Sequence, residues 1–264
     1  MLEPRLLLCT LLISGMAYGQ GIPVGKVLVL HVPELKEGVT PQAFQDFLAS
    51  DFLPSTDRKF PDLTFEFFKA DRGAQKGKFL LVGSAENNKN TGPAKESPFI
   101  VGTGKKTLGD YTKNPQSFTE YNLIGADKIT SLPNAGILGI HFIKVKQDRL
   151  KEFEVFVVEK LHPVVGHLFP DMQLLYYKAT GGANIGSYIT IFTIDSPAAR
   201  DKYWPGGADE TTILKTTFKP LEGLAKELGT YLVEGSFLEP SSGGAAAYWE
   251  SKVWTDFVHS SYLR

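Results

Sequence analysis

Histidine is the side chain in this sequence best suited to acid–base chemistry, because its unperturbed pKa lies near neutrality. The 264-residue chain contains five histidines. His31 and His141 each lie in an apolar run that predicts a strand, where the other residues on the same strand face are apolar. A polar side chain on such a face needs partners in the interior. We therefore take His141 as a catalytic candidate and His31 as a ligand-binding candidate; a hydrogen-bonded core histidine is the open alternative at both positions.

His162 and His167 form a second pair of candidates. They lie five residues apart with Pro163 between them, so an unbroken helix would not place both on one face. No Asp or Glu lies at ligand spacing from them, and the sequence predicts no metal site. His162 is kept as a third acid–base candidate, together with His141 and a nearby tyrosine.

That tyrosine belongs to the run Tyr176-Tyr177-Lys178, which lies in a predicted strand. Alternation along a strand places Tyr176 and Lys178 on one face and Tyr177 on the other. We take Tyr176 as a catalytic candidate and Tyr177 as a ligand-binding one, while buried core tyrosines with a solvated hydroxyl are the alternative.

Three further ligand-binding candidates, Arg200, Tyr203 and Trp204, open a predicted helix that would cover the mouth of a pocket. Simple packing with a surface ion pair is the alternative. The sequence has no Gly-x-Ser-x-Gly motif of the kind that holds a catalytic serine.

The predicted strands and helices that must position these residues belong to an internal sequence repeat. Residues 44–77 repeat as residues 153–186 at a constant offset of 109, with eleven of the 34 paired positions identical. The second copy has His162 and His167 where the first has Leu53 and Arg58, and Tyr176 and Tyr177 where the first has Phe67 and Phe68. Function is therefore expected where the second copy departs from the first.

Each copy predicts the element order β-α-β-β-α-β. In the first, residues 25–33, 63–70, 78–84 and 120–126 predict strands, Thr40 predicts the cap of a helix that Pro54 ends or kinks, and residues 86–118 predict a loop with at most one short helix. In the second, residues 136–145, 172–179, 187–195 and 230–237 predict strands, and residues 148–167, 197 onward and 209–228 predict helices. A last helix is predicted over 248–263 after a Ser-Gly-Gly-Ala linker. The fold class is α+β, with two tandem ferredoxin-like units at residues 20–130 and 131–239 and a linker with C-terminal helix at 240–264.

The sequence resembles the dimeric α/β-barrel superfamily in a tandem-duplicated form. The resemblance lies in the Phe-x-x-Phe helix ending in Pro, the Phe-Pro-Asp turn, the pattern Lys-Ala-x-x-Gly-Ala-x-x-Gly, and Arg200-Asp-Lys-Tyr-Trp-Pro205. It implies two four-stranded antiparallel sheets that face one another with helices outside, and ligands between sheet and helices. Because one chain carries both units, the barrel is expected to close within the chain, as a monomer or as part of a homodimer.

Members of that superfamily include cofactor-free monooxygenases, haem-degrading and haem-dependent enzymes, lactone isomerases, polyketide cyclases and proteins without known activity. The resemblance implies that a tyrosine and a histidine in one pocket polarise a carbonyl or move a proton. It also implies haem, with His162 as its ligand, as a minor possibility. Our first expectation is a protein that binds a small hydrophobic molecule without a cofactor; a cofactor-free monooxygenase, isomerase or cyclase is the alternative.

Net charge, the N-terminal segment and the cysteine content limit the partners and the cellular location that we expect. The formal net charge of −1 and the absence of a basic patch argue against nucleic acid as a partner. Residues 1–19 predict a signal peptide cleaved before Gln20, which implies a secreted or periplasmic protein with no membrane attachment after cleavage. The single cysteine, Cys9, lies in that segment, so the mature chain must be held together by its core rather than by disulfides.

Overall fold

The computed structural model describes residues 26–85, 106–125, 135–169, 172–182, 184–203, 219–233 and 254–263. Eight strands form one closed antiparallel barrel in the order β1-β3-β2-β8-β5-β7-β6-β4. The strands are β1 Val27–His31, β2 Thr64–Gly73, β3 Phe79–Ala85, β4 Phe118–Gly125, β5 Ile137–Ile143, β6 Met172–Gly182, β7 Tyr188–Ile194 and β8 Trp254–His259. The first seven confirm the predicted strands to within a few residues.

Helices lie outside the barrel. They are α1 Pro41–Phe47, α2 Leu53–Lys59, α3 Leu108–Tyr111, α4 Leu150–Phe156, α5 His162–Leu168, α6 Pro197–Tyr203 and α7 Glu222–Tyr231. Thr40 caps α1 as predicted, since its hydroxyl accepts a hydrogen bond from the Ala43 N–H. The short α3 agrees with the expected loss of helix in the first unit, and residues 86–105 and 209–218 lie outside the described part of the chain.

The predicted break at Pro54 takes the form of a wide helical turn. A five-residue π segment, Leu48–Phe52, joins α1 to α2, and Val157–Leu161 joins α4 to α5 in the same way. The N–H of the residue before each proline bonds to the carbonyl five residues back. A proline cannot donate the next bond and its ring crowds the preceding turn, so the wider turn lets the helix continue past it. Both units therefore share a bent helix.

Both units also share a hairpin between their second and third strands. Gly73 and Gly77 in the first and Gly182 and Gly186 in the second all have φ between 83° and 88°. That backbone conformation favours glycine, which explains two of the repeated identities.

The C-terminal predictions were wrong. Residues 254–259 form β8 and not a helix, and β8 pairs with β2 on one side and β5 on the other. The strand predicted over 230–237 is wrong at its start, because Thr230 and Tyr231 end α7, and residues 234–237 lie outside the described part of the chain. The fourth strand of the second unit thus lies inside the segment predicted as linker and C-terminal helix; the other limits of the predicted units stay predictions.

The barrel closes through two seams, β2–β8 and β4–β6, where the last strand of each unit pairs with the other unit. Buried apolar side chains of the described residues form three clusters. One contains sheet residues such as Leu30, Phe68 and Ile191 and no helix residue, so it fills the barrel interior. The other two join the outer sheet faces to the helices, around Phe44 in the first unit and Phe153 in the second. Within the described residues, no helix is both long and apolar enough to cross a membrane.

Candidate functional site

The helix-facing surface of the second unit carries a row of buried polar residues. In the strand register, Tyr176 on β6 pairs with Thr190 on β7, and Thr190 pairs with His141 on β5. All three are at most 4% exposed. Their strand positions place them on the face that packs against α4 and α7. His141 and Tyr176 are thus two strand spacings apart, about 10 Å, and Thr190 stands between them.

The matching row of the first unit is mostly apolar. There His31 on β1 pairs with Leu81 on β3, and Leu81 pairs with Phe67 on β2. Only the histidine is common to both rows. The second unit therefore has two hydroxyl groups at positions that are apolar in the first; Tyr176 is among the departures that the sequence analysis named, and Thr190 is not.

A charged cluster adjoins this row. On β6 and β7, Lys178 pairs with Tyr188, one position further along the same face. Glu154 of α4 accepts hydrogen bonds at its Oε1 atom from the Tyr188 hydroxyl at 2.6 Å and from Lys178 Nζ at 2.9 Å. The first unit has Phe79 and Gln45 at the positions of Tyr188 and Glu154, and only its lysine, Lys69, matches.

The cluster is electrostatically coupled. Burial would raise the pKa of Glu154, but hydrogen bonds from Lys178 and Tyr188 outweigh burial, and the pKa is lowered. Burial, followed by the bond to Glu154, raises the pKa of Tyr188 to about 12. The bond to Glu154 raises the pKa of Lys178. At neutral pH the cluster is an ion pair with a neutral phenol, and the Lys178 and Glu154 side chains are about one-third exposed.

Aromatic rings fill the space between α4 and this part of the sheet. The Phe153 ring makes edge contacts with Tyr176 and Tyr188, with centroid distances of 6.1 and 5.0 Å. Tyr231 of α7 packs on Phe156 at 5.2 Å. These contacts fix the orientation of the Tyr176 and Tyr188 rings against α4.

His31 occupies the equivalent position in the first unit. Its Nδ1 donates to the Ser117 carbonyl at 2.6 Å, since a carbonyl can only accept. Burial lowers its pKa, and the hydrogen bond to Ser117 offsets part of that shift. His31 is thus a neutral imidazole with Nε2 as the acceptor nitrogen.

The remaining predicted residues are spread over other surfaces. His162 begins α5 and is half-buried, while His167 is exposed at the end of the same helix. Tyr177 points into the barrel interior, on the other side of the sheet from Tyr176, and burial raises its pKa. Among the described residues, no group of three or more His, Cys, Asp or Glu side chains could hold a metal ion.

Arg200 lies at the β2–β8 seam. Its Nη1 donates to both oxygens of Asp71 at 3.0 Å and to Asp256 at 3.3 Å, and its Nε donates to Asp201 at 3.1 Å. With three carboxylates around it, this guanidinium joins α6 to both seam strands. Tyr203 ends α6, and Trp204 lies outside the described residues.

The site contains three residues that the candidate list missed: Glu154, Tyr188 and Thr190. The offset of 109 contained the signal: Glu154 stands where the first copy has Gln45, and Tyr188 and Thr190, just beyond the end of the repeat, stand where the first unit has Phe79 and Leu81. The adjacent residues Tyr176 and Tyr177 mark β6 as a candidate strand. The differences on α4 and β7 become visible only when the two units are compared along their full length.

Comparison with known proteins supports the architecture. No family model matches the sequence, and no curated protein matches it. Among solved structures, a Fusobacterium nucleatum protein named as a candidate monooxygenase matches with a TM-score of 0.51 at 10% identity, over 90% of this chain and 94% of that chain. Two others fall below 0.5: an anthrone oxidase-like protein (0.48, 11% identity, 88% and 90% covered) and a haem-degrading enzyme from Listeria monocytogenes (0.37, 12% identity, 88% and 99% covered).

At such low identity these similarities concern the fold alone. The similarity to the Fusobacterium nucleatum protein and the closed eight-stranded barrel together show that the chain has the dimeric α/β-barrel fold. Both halves of the barrel belong to a single chain.

Proposed function

We propose that the second unit binds a small, mainly apolar molecule that carries a hydroxyl or carbonyl group, between the sheet and its helices. The observation that carries the proposal is the polar row Tyr176–Thr190–His141, whose counterpart in the first unit is apolar except for its histidine. Buried polar groups on an apolar surface cost free energy unless they form hydrogen bonds, so their gain in one unit only favours a function in that unit. The apolar surroundings would take the ligand's hydrocarbon part, and the row would orient its polar end.

The internal repeat supplies the test. Thr190→Leu and Tyr176→Phe each give the second unit the residue of the first, and Phe67→Tyr is the reciprocal control. The probe is 1-naphthol, a two-ring phenol, titrated by isothermal calorimetry. Loss of one ligand hydrogen bond should weaken binding about tenfold in Thr190→Leu, while Phe67→Tyr leaves the affinity unchanged. Equal affinity in all three variants and the unchanged protein would refute a site at this row.

The Glu154–Tyr188–Lys178 cluster favours a second candidate function on the same ligand. A carboxylate held beside a phenol and an ammonium group can accept a proton, and His141 lies on the adjacent row. This supports a cofactor-free monooxygenase, isomerase or cyclase. In the monooxygenase case a base would remove a proton from carbon next to a carbonyl, and molecular oxygen would react with the resulting carbanion.

Anthrone is a suitable probe for that chemistry, since its oxidation by one molecule of oxygen gives anthraquinone and one molecule of water. An oxygen electrode would record the rate. Glu154→Gln, which gives α4 the residue type of the first unit, should lower the rate by about a hundredfold or more if Glu154 is the base. Gln45→Ala is the control at the equivalent position. A rate no higher than that of anthrone in buffer alone would leave ligand binding as the function.

Haem does not fit the residues of this site. The Phe153 ring packs directly against Tyr176 and Tyr188, which leaves no room for a porphyrin between α4 and that part of the sheet. We expect no Soret band to remain with the purified protein after incubation with haemin and gel filtration. A retained band that His162→Ala abolishes would overturn this expectation.

We also propose that the protein is exported, on the evidence of the signal-like residues 1–19. Expression of the full sequence in a bacterial host, followed by mass spectrometry of the periplasmic fraction, should give a chain that begins at Gln20. A chain of unprocessed mass confined to the cytoplasm would contradict it.

A further inference from the structure

A second group of residues able to do chemistry lies at the end of the β2–β8 seam. His259, the last residue of β8, has Nδ1 at 2.7 Å from the Ser261 Oγ atom and Nε2 at 3.1 Å from the Glu66 Oε2 atom of β2. A hydroxyl, an imidazole and a carboxylate are thus joined in that order. The group is far from the His141 row, since His259 is five residues along β8 from the backbone partner of His141, about 16 Å.

The hydrogen bonds assign the roles of the two ring nitrogens. The Ser261 backbone N–H donates to Nδ1 at 3.2 Å, so Nδ1 is an acceptor. In the neutral imidazole the proton is then on Nε2, which donates to Glu66. The Ser261 hydroxyl is left to donate to Nδ1. This is the arrangement in which a histidine removes a proton from serine while a carboxylate fixes the ring and stabilises its charged form.

The three residues differ in how far they are exposed to solvent. The His259 side chain is 5% exposed and its ring packs edge-on against Phe68 at 5.2 Å, so the base is shielded and held in place. Glu66 is 24% exposed, and Ser261 is half-buried. Asp57 lies at the solvent side, where burial and then the charge of Glu66 raise its pKa. Ser261 is thus more exposed to solvent than the imidazole ring that it contacts.

We propose that Ser261, His259 and Glu66 form a hydrolytic site for small carboxylic esters. Ser261 Oγ attacks the ester carbonyl and its proton passes to His259 Nδ1. The new bond joins Ser261 Oγ to the acyl carbon, and the bond to the alcohol oxygen breaks as the alcohol leaves with a proton. Water then releases the acid and restores the serine. Ser261 and His259 are the catalytic residues, and Glu66 is a positioning residue.

A purely structural role is the competing explanation, since His259 also caps the short turn at Ser260–Tyr262. Diisopropyl fluorophosphate distinguishes the two explanations, because it phosphorylates an activated serine hydroxyl and not an ordinary one, with formation of a P–O bond and release of fluoride. Peptide mapping of the full chain should find the phosphoryl group on Ser261. Ser261→Ala should abolish this labelling, and Ser260→Ala, the neighbouring serine, should retain it.

Hydrolysis of 4-nitrophenyl acetate gives the rate. We expect Ser261→Ala to lower it by about a hundredfold or more relative to Ser260→Ala. Glu66→Gln keeps the shape of the side chain but removes the charge that favours a protonated imidazole. It should lower kcat while leaving KM and the urea-unfolding midpoint unchanged, whereas loss of a merely structural carboxylate would lower the unfolding midpoint.

A thiol at the same position gives an independent readout that does not need an ester. Alkylation of Ser261→Cys by iodoacetamide at pH 7, followed by peptide mapping, should be at least about tenfold faster than that of Ser260→Cys, because the imidazole accepts the thiol proton. Equal alkylation rates, labelling of other serines, or unchanged hydrolysis in Ser261→Ala would overturn the proposal and leave His259 as the cap of the turn.

Discussion

Replacing Arg200 should destabilise the barrel far more than replacing the neighbouring Arg72. Asp256 is 3% exposed and takes part in the Arg200 network from the middle of β8, whereas Asp71 and Asp201 are partly exposed. Arg200→Gln would leave the Asp256 carboxylate buried without its guanidinium partner. Removal of one member of a buried ion pair costs about 3–5 kcal/mol, and exposed pairs contribute about 0–1 kcal/mol. We therefore expect a loss of about 3–5 kcal/mol for Arg200→Gln.

The control is Arg72→Gln, which breaks a pair with Asp201 at 3.0 Å on the same surface but at 20% and 44% side-chain exposure. It should cost about 1 kcal/mol or less. Urea unfolding followed by circular dichroism at pH 7 measures both variants, with equal m-values as evidence that the unfolding transition has not changed in kind.

The double variant Arg200→Gln, Asp256→Asn tests the cause. If the cost comes from the buried Asp256 charge that has lost its guanidinium partner, removing that charge should recover about 2 kcal/mol relative to Arg200→Gln alone. Burial by itself would lower the pKa of Arg200, but Asp256 and Asp71 outweigh burial and the net shift is upward, in line with a strong pairing. A loss below about 1 kcal/mol for Arg200→Gln, or a double variant no more stable than the single one, would refute the argument.

Two further predictions concern single positions. The pKa of His31 is lowered in the folded protein, mainly by burial. Folding therefore favours the neutral imidazole, and this contribution to stability is fully present above the unfolded pKa of about 6.5. The contribution is lost as the pH falls through the folded pKa. The melting temperature should therefore drop between pH 7.5 and 5.5, and the drop should be smaller in His31→Gln; an equal drop would exclude His31 as a source. Gly182→Ala should lower the free energy of unfolding more than Gly186→Ala, as measured by urea unfolding. Both glycines have φ of 83°, but a Cβ at Gly182 would lie 2.1 Å from the Phe118 carbonyl oxygen, whereas a Cβ at Gly186 would meet open space. We expect about 1 kcal/mol at Gly186 and at least twice that at Gly182, and similar costs would show that β4 moves aside easily.

The repeat predicted most of the fold because its identities are the residues that fix local structure. Pro54 and Pro163 mark the bent helices, and Gly73 and Gly182 mark the hairpins. It failed at the last strand, where Trp254 and Phe257 suit one helical face as well as a strand. Pairing with β2, nearly two hundred residues earlier, decides that segment, and local pattern does not contain such information.

The fourth strands of the two units cannot be aligned from the sequence alone. Tyr121 and Tyr231 agree at an offset of 110, yet Tyr121 lies on β4 and Tyr231 ends α7. The true counterparts follow from the partners of the two histidines: Phe118 pairs with His31 and Trp254 pairs with His141. Part of the additional length of the second unit lies after its last helix, since 22 residues separate Tyr231 from Trp254 and six separate Tyr111 from Phe118.

The candidate site was predicted in part. Alternation along the strands correctly separated Tyr176 from Tyr177, and the apolar runs around His31 and His141 correctly predicted strands. Strand order was needed to show that Thr190 stands between His141 and Tyr176, and helix docking was needed to bring Glu154 to Tyr188. The roles assigned to the site residues stay predictions.

The placement of both halves in one chain has a consequence for how such a protein can change. In a barrel built from two identical chains, each substitution appears twice, and a change that helps one pocket is imposed on the other. Here Leu81 and Thr190, or Phe79 and Tyr188, can differ freely. One half can preserve the packing that closes the barrel while the other accepts buried polar groups, so stability and binding need not be optimised by the same residues.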